Sequence, residues 1–130
     1  MNFFYRINYF FIKKFGSKAI RNKVIFEHHF FVTRYYLNKQ ASLKSIIQIL
    51  NISESEFEHL LLKHYNLNFN TLCEMHRFRH FWEEFTNPLN ADLSVQSIIE
   101  LCGFSSNAEF NQLLSGHKEA SKSILKRNFS

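Results

Sequence analysis

A chain of 130 residues can bury one or two small hydrophobic cores and no more. Apolar residues make up 45%, with 16 Phe, which excludes wholesale disorder; 3 Gly and 1 Pro are too few turn residues for a many-stranded sandwich or barrel. The net charge of +5 is unevenly held: residues 1–40 carry 8 Lys and Arg against Glu27 alone, a balance of +7, which leaves residues 41–130 at −2. A basic arm on a mildly acidic body suits attraction to a polyanion such as DNA or an anionic membrane, and does not suit a body that binds phosphates everywhere.

The first expected element is helical, with Phe3, Phe4, Ile7, Phe10, Phe11 and Phe15 on one broad face into which Lys14 intrudes. Arg6, Asn8, Lys13 and Lys14 break the apolar run well short of the roughly 18 residues of a membrane span. No small-residue cleavage site follows, so a signal peptide is not expected either. Gly16 and Ser17 punctuate, and a second apolar stretch runs from Val24 to Leu37 with Phe26, Phe30 and Phe31 spaced for packing. Residues 1–36 therefore read as a basic, aromatic helical arm. Lys13, Lys14, Lys18, Arg21 and Lys23 are its candidate phosphate contacts, with an ordinary solvated face as the other reading. Its aromatic side could pack on the body, meet a second subunit or protein partner, or lie on a membrane surface.

After a polar connector, Asn38 to Ala41, the chain repeats itself. Residues 42–53 read SLKSIIQILNIS and residues 94–105 read SVQSIIELCGFS. Ser42, Ser45, Ile46, Ile47 and Ser53 recur as Ser94, Ser97, Ile98, Ile99 and Ser105, whereas Phe57, Leu60 and Leu61 return one residue late as Phe110, Leu113 and Leu114. In each copy Ser42 or Ser94 caps a short helix with Ile46, Ile47 and Leu50, or Ile98, Ile99 and Leu101, on its inner side. Asn51 or Gly103 supplies the left-handed turn, Ile52 or Phe104 plugs the angle, and Ser53 or Ser105 caps a second helix. The expectation is an all-α fold with two helix-turn-helix units, at about 42–66 and 93–127.

Between the copies, Phe69 to Phe85 shows a third helical pattern about 25 Å long, closed by Asn87-Pro88, which sets a linker helix at about 69–86. Cys73, His76 and His80 share one side of it, but Cys73 and His76 fall on the face that should pack, so no metal is expected. Two cysteines, Cys73 and Cys102, are too few for a disulfide scaffold and imply a reducing, cytoplasmic setting. Arg77 reads as a structural hydrogen-bond donor. Glu83 and Glu84 are adjacent and so diverge on a helix, and no nucleophile–base arrangement or Gly-rich phosphate cradle is present. Neither catalysis nor a cofactor is expected.

Over residues 37–127 these features resemble the DNA-binding domain of the AraC family of transcription regulators. Leu37-Asn38 is similar to that family's entry, and Asn66-Leu67-Asn68-Phe69 stands where it has Gly-Met-x-Phe. Arg77 matches its linker-helix arginine, and Gly103-Phe104-Ser105 with Phe110 is the most specific local match. The late residue of the second copy is also a family trait. Glu119 and Lys122 stand near positions where the family has Gly and Pro, which bears on a closing helix at 120–127, and Phe81 and Trp82 are bulkier than the family's small linker residue.

The resemblance implies a regulator of double-stranded DNA that places two recognition helices in successive major-groove segments, about 34 Å apart. In the second helix the exposed polar positions are Ser106, Asn107, Glu109, Asn111 and Gln112 after Ser105. Asn107, Asn111 and Gln112 are the candidate base contacts, since Asn and Gln pair bidentately with adenine; solvated polar positions are the alternative. In the first helix Ser53, Ser55, His59 and Lys63 are candidate contacts, opposed by Glu54, Glu56 and Glu58, whose charge phosphates would repel. Those carboxylates motivate a second expectation, a degenerate helix-turn-helix module that binds protein and no longer DNA.

Overall fold

The computed structural model describes residues 17–128. Among them there is no strand, and seven α-helices follow in order: α1 Lys18–Glu27, α2 Leu43–Leu50, α3 Glu54–Tyr65, α4 Phe69–Thr86, α5 Val95–Leu101, α6 Asn107–Ser115 and α7 Lys118–Asn128. A π-helical turn, His28–Val32, extends α1, and short 3-10 turns lie at Tyr35–Leu37 and Pro88–Asn90. The fold is all-α. No helix among the described residues is long and apolar enough to cross a membrane. Two compact units divide the chain, the first from residues 17–35 and 41–71, the second from residues 36–40 and 72–128.

Serine side chains set the helix starts. The Ser42 hydroxyl accepts from Ser45 N–H at 3.0 Å, Ser53 from Glu56 N–H at 3.0 Å and Ser94 from Ser97 N–H at 3.1 Å, each satisfying a donor that the first helical turn leaves unpaired. At Ser53 the cap is reciprocal, because Glu56 returns its carboxylate to the Ser53 N–H. Asn ends the first two of these helices: Asn51 at φ 54° closes α2 and Asn66 at φ 53° closes α3. Asn is among the few side chains that tolerate this left-handed region, because its short amide can bond locally.

An aromatic cluster holds the first unit together. Phe26 and Phe30 are fully buried and stack at 5.3 Å; Phe26 meets Phe57 at 5.4 Å, and Phe57 meets Phe69 at 5.6 Å. Such ring pairs stabilise beyond the area they bury, by about 0.5–1.5 kcal/mol each. Ile46, Leu50, Leu60 and Leu61 are buried in the same unit. The part of the 1–36 segment that is described, α1 and its π turn, contributes Phe26 and Phe30 to the first unit's core. The aromatic face of residues 3–15 lies outside the described residues.

The second unit has its own core of Phe81, Ile98, Ile99, Cys102, Phe104, Phe110 and Ile124, with Phe78, Trp82 and Phe85 packed against it. Phe81 and Phe110 are closest, with ring centroids 4.5 Å apart, so the bulk at residues 81 and 82 fills space in this core. Leu101, expected on the inner side of α5, is 53% exposed, and Cys102 takes the buried place. The register explains this: Cys102 stands where Leu50 does in the first copy, and Leu101 where the exposed Ile49 does. The closing helix forms without the family's Gly and Pro, and it starts at Lys118, earlier than expected.

Candidate nucleic-acid interface

Each unit presents a helix, a turn and a second helix, and the second helix carries the candidate residues. In the second unit the turn is built on Gly103, which sits at φ +84°; a Cβ there would lie 2.6 Å from the backbone oxygen of Leu37. Both the backbone angle and the close approach of residues 36–40 require glycine. Phe104 is buried beneath the turn.

The α6 cap differs from the expected one. Ser106, not Ser105, accepts from the Glu109 N–H at 3.2 Å, and α6 starts at Asn107. Ser105 instead directs both its N–H and its hydroxyl to Glu109 Oε2, at 3.0 and 2.6 Å. The extra residue of the second copy therefore sits in the turn. Ser53 corresponds to Ser106 and Glu56 to Glu109, both at the late spacing that Phe57 and Phe110 already show.

Glu109 is also not one of the outward polar positions. Its Oε1 accepts from Arg77 Nη1 at 3.2 Å, and the two side chains are only 17% and 8% exposed. Arg77 donates further from Nε to the Tyr36 carbonyl at 2.6 Å and from Nη2 to the Asn38 carbonyl at 3.2 Å. A guanidinium with a bond from each of its three nitrogens, and only 7% exposed, is a structural clamp rather than a phosphate contact.

With Glu109 turned inward, the outer face of α6 is uncharged. Asn107, Ala108, Asn111, Gln112 and Ser115 are exposed. At 100° per residue they fall within a sector of about 140°. The Asn107 side-chain Oδ1 accepts from Gln96 Nε2 of α5 at 3.0 Å, which orients that amide. Asn111 and Gln112 lie on the same open face, one helical turn beyond Asn107.

The corresponding face of α3 is mixed. Glu54, Ser55, Glu58, His59 and Lys63 are exposed, with Leu62 at 64% exposure among them. Glu56 is engaged twice, in the capping box and with Lys18 Nζ at 3.2 Å. The Lys18 ammonium, followed by the Ser53 N–H, holds its carboxyl below the usual value of 4.5. Lys18 and Lys23, expected as open phosphate contacts, are thus each beside a carboxylate, Lys23 pairing with Glu27 at 3.4 Å. Arg21 is half-buried. Lys13 and Lys14 lie outside the described residues.

Cys73 and Cys102 are buried, and burial pushes both thiols up to about 12. His80 lies 3.5 Å from Glu83 and 3.7 Å from Glu84. Among the described residues no cluster of His, Cys, Asp and Glu could hold a metal ion. Sequence reasoning did not reach the inward role of Glu109, although the Ser106/Glu109 spacing, identical to that of Ser53/Glu56, carries the signal.

Compared with protein-family models, with curated proteins and with solved structures, the chain has no match.

Proposed function

We propose that the chain is a DNA-binding transcription regulator of AraC type, with α6 as the principal base-reading helix. The observation that carries the reading is the outer face of α6: a run of exposed amides from which the one acidic residue has been withdrawn by Arg77. Amides that both donate and accept suit the adenine edge in a major groove, and a face without carboxylate raises no repulsion with phosphates. The N-terminal basic residues would add non-specific affinity, and α3 would enter a neighbouring groove segment or only position the domain.

Selection of the full chain against random duplex DNA, followed by binding across a salt series, tests this. A regulator enriches a motif and loses affinity as salt rises. Asn111→Ala and Gln112→Ala should each relax specificity at one position by about 1–3 kcal/mol. Substitution of these exposed residues should move stability by less than about 0.5 kcal/mol. No enriched motif, or one unaltered by both substitutions, refutes α6 as the reader.

A specific observation favours a second reading, the protein-interaction module. The first unit holds a half-open cavity of about 450 Å³ in which Leu43, Leu61, Leu62, Leu67 and Phe69 form an apolar floor edged by Glu58, Asn66, Asn68 and Asn70. Beside the exposed carboxylates of α3, this surface suits a protein ligand better than a phosphate backbone. Retained binding of a protein partner by a chain that selects no DNA motif would establish it.

A further inference from the structure

The first unit contains a second cavity, of about 290 Å³, between α1 and α3. From α1 it takes Lys18, Ala19 and Asn22; from α3 it takes Glu56, His59, Leu60, Lys63 and His64. Those α3 residues recur every three to four positions and so form one stripe along the helix. Two ammonium groups, two imidazoles and a carboxamide thus line one concavity that contains a single carboxylate. The composition is that of an oxyanion receptor with an internal counter-ion. At this size it takes a small group and not a drug-sized molecule, since ligand pockets of that kind start at about 300 Å³.

We infer that this cavity binds a phosphoryl group, with Lys63 and Lys18 as its cationic contacts and Glu56 as the internal anion that the ligand displaces from Lys18. The Lys18–Glu56 contact of 3.2 Å holds the lysine at the cavity. Both of its side chains are partly open to solvent, at 70% and 41%, so the exchange of partners requires no unpacking. His59 and His64 supply ring N–H donors, and Asn22 supplies an amide. The electrostatics agree. Partial desolvation, then the charges of Lys23 and Lys63, keep the His64 imidazole below its ordinary range, while Glu27 opposes them and His59 adds to them. Of these causes, the desolvation carries no sign of charge; the Lys63 ammonium is the one that adds a positive field at the cavity.

This inference goes beyond the DNA reading and stands independently of it, because a phosphoryl group reaches the cavity either on a free ligand or on a DNA backbone. Only the second source rests on the proposed function. The shared chemistry comes from residues far apart in the chain, Lys18 on α1 and His59 and Lys63 on α3.

The test is titration of the full chain with inorganic pyrophosphate, followed through the ring resonances of His59 and His64. Saturable shifts of both rings are expected. Lys63→Gln should weaken binding about three- to fivefold, as loss of one partly exposed ion pair does. Glu56→Gln should strengthen it by a similar factor, since glutamine keeps the capping geometry and removes the competing charge. Opposite signs from two surface substitutions exclude a general loss of structure. Duplex DNA that shifts the same rings, with Lys63→Gln lowering its salt slope by about one, assigns the phosphoryl source to DNA. Pyrophosphate binding without that response assigns it to a free phosphorylated ligand. No ring shifts with either probe, or shifts indifferent to both substitutions, overturns the site. A chain that selects no DNA motif yet binds pyrophosphate refutes the function proposed above and leaves this site standing.

Discussion

Arg77 and Glu109 are joined at 3.2 Å across 32 residues of sequence, with both side chains largely withdrawn from water. The pair ties α4 to the start of α6, and Ser105 of the turn closes on the same carboxylate. Removing one partner leaves the other charge poorly solvated and unpaired. Arg77→Met should destabilise the chain by about 3 kcal/mol, with the Tyr36 and Asn38 carbonyls also losing their donor. Glu109→Gln should cost less, since an amide still accepts. Urea unfolding of both single variants and the double variant measures the coupling, expected at about 1–3 kcal/mol; additive effects would mean the contact contributes nothing.

Gly103 is constrained both by its backbone angle and by its neighbour. Gly103→Ala introduces a Cβ 2.6 Å from the Leu37 carbonyl oxygen at a φ of +84°, and neither backbone can give way cheaply. A loss of about 2–4 kcal/mol is expected. Asn51→Gly, at the matching turn of the first unit, should be within about 0.5 kcal/mol of neutral, because glycine adopts the same left-handed angle without strain. A similar cost at both turns in thermal melts would contradict the close approach at Leu37.

The two thiols should be inert in the native chain. Burial raises both Cys73 and Cys102 to about 12, so thiolate, the reactive form, is scarce at neutral pH. A thiol-reactive disulfide reagent should label them at the rate of unfolding. The sign for stability follows: an unfolded thiol ionises near 9.0 and a folded one only near 12, so stability falls as pH rises above 9. Replacement of both cysteines by serine should flatten that alkaline decline.

At acid pH the effect has the opposite sign. Lys18 and the Ser53 N–H depress the Glu56 carboxyl, so its contribution to stability is complete above 4.5 and is lost as pH falls through its lower folded value. Urea midpoints of the wild type should therefore fall more steeply below pH 4.5 than those of Glu56→Gln. Equal slopes would show that Lys18 does not act on Glu56 in solution.

Much of the fold is legible in the sequence. The bounds 69–86 of α4, the serine caps at residues 42, 53 and 94, and the left-handed turns at Asn51 and Gly103 all follow from local rules. A cap, a turn or a helical stripe involves residues three or four apart, so its signal is contiguous in the chain. The candidate site was less legible. The helical pattern identifies Asn107, Asn111 and Gln112 as exposed amides, but it groups Glu109 with them, because a carboxylate one turn away looks the same in a helical wheel.

The tandem arrangement of helix, turn and helix was thus determined by the sequence itself, through a repeat whose periodicity needs no distant partner. Only tertiary structure decided which charges are spent internally. Arg77 reaches Glu109 from 32 positions away, and Lys18 reaches Glu56 from 38. Such pairings depend on which helix faces pack together. Packing brings the Lys18–Glu56 pair, His59, Lys63 and His64 around one cavity, and it leaves α6 with an uncharged outward face that carries the amides of Asn107, Asn111 and Gln112.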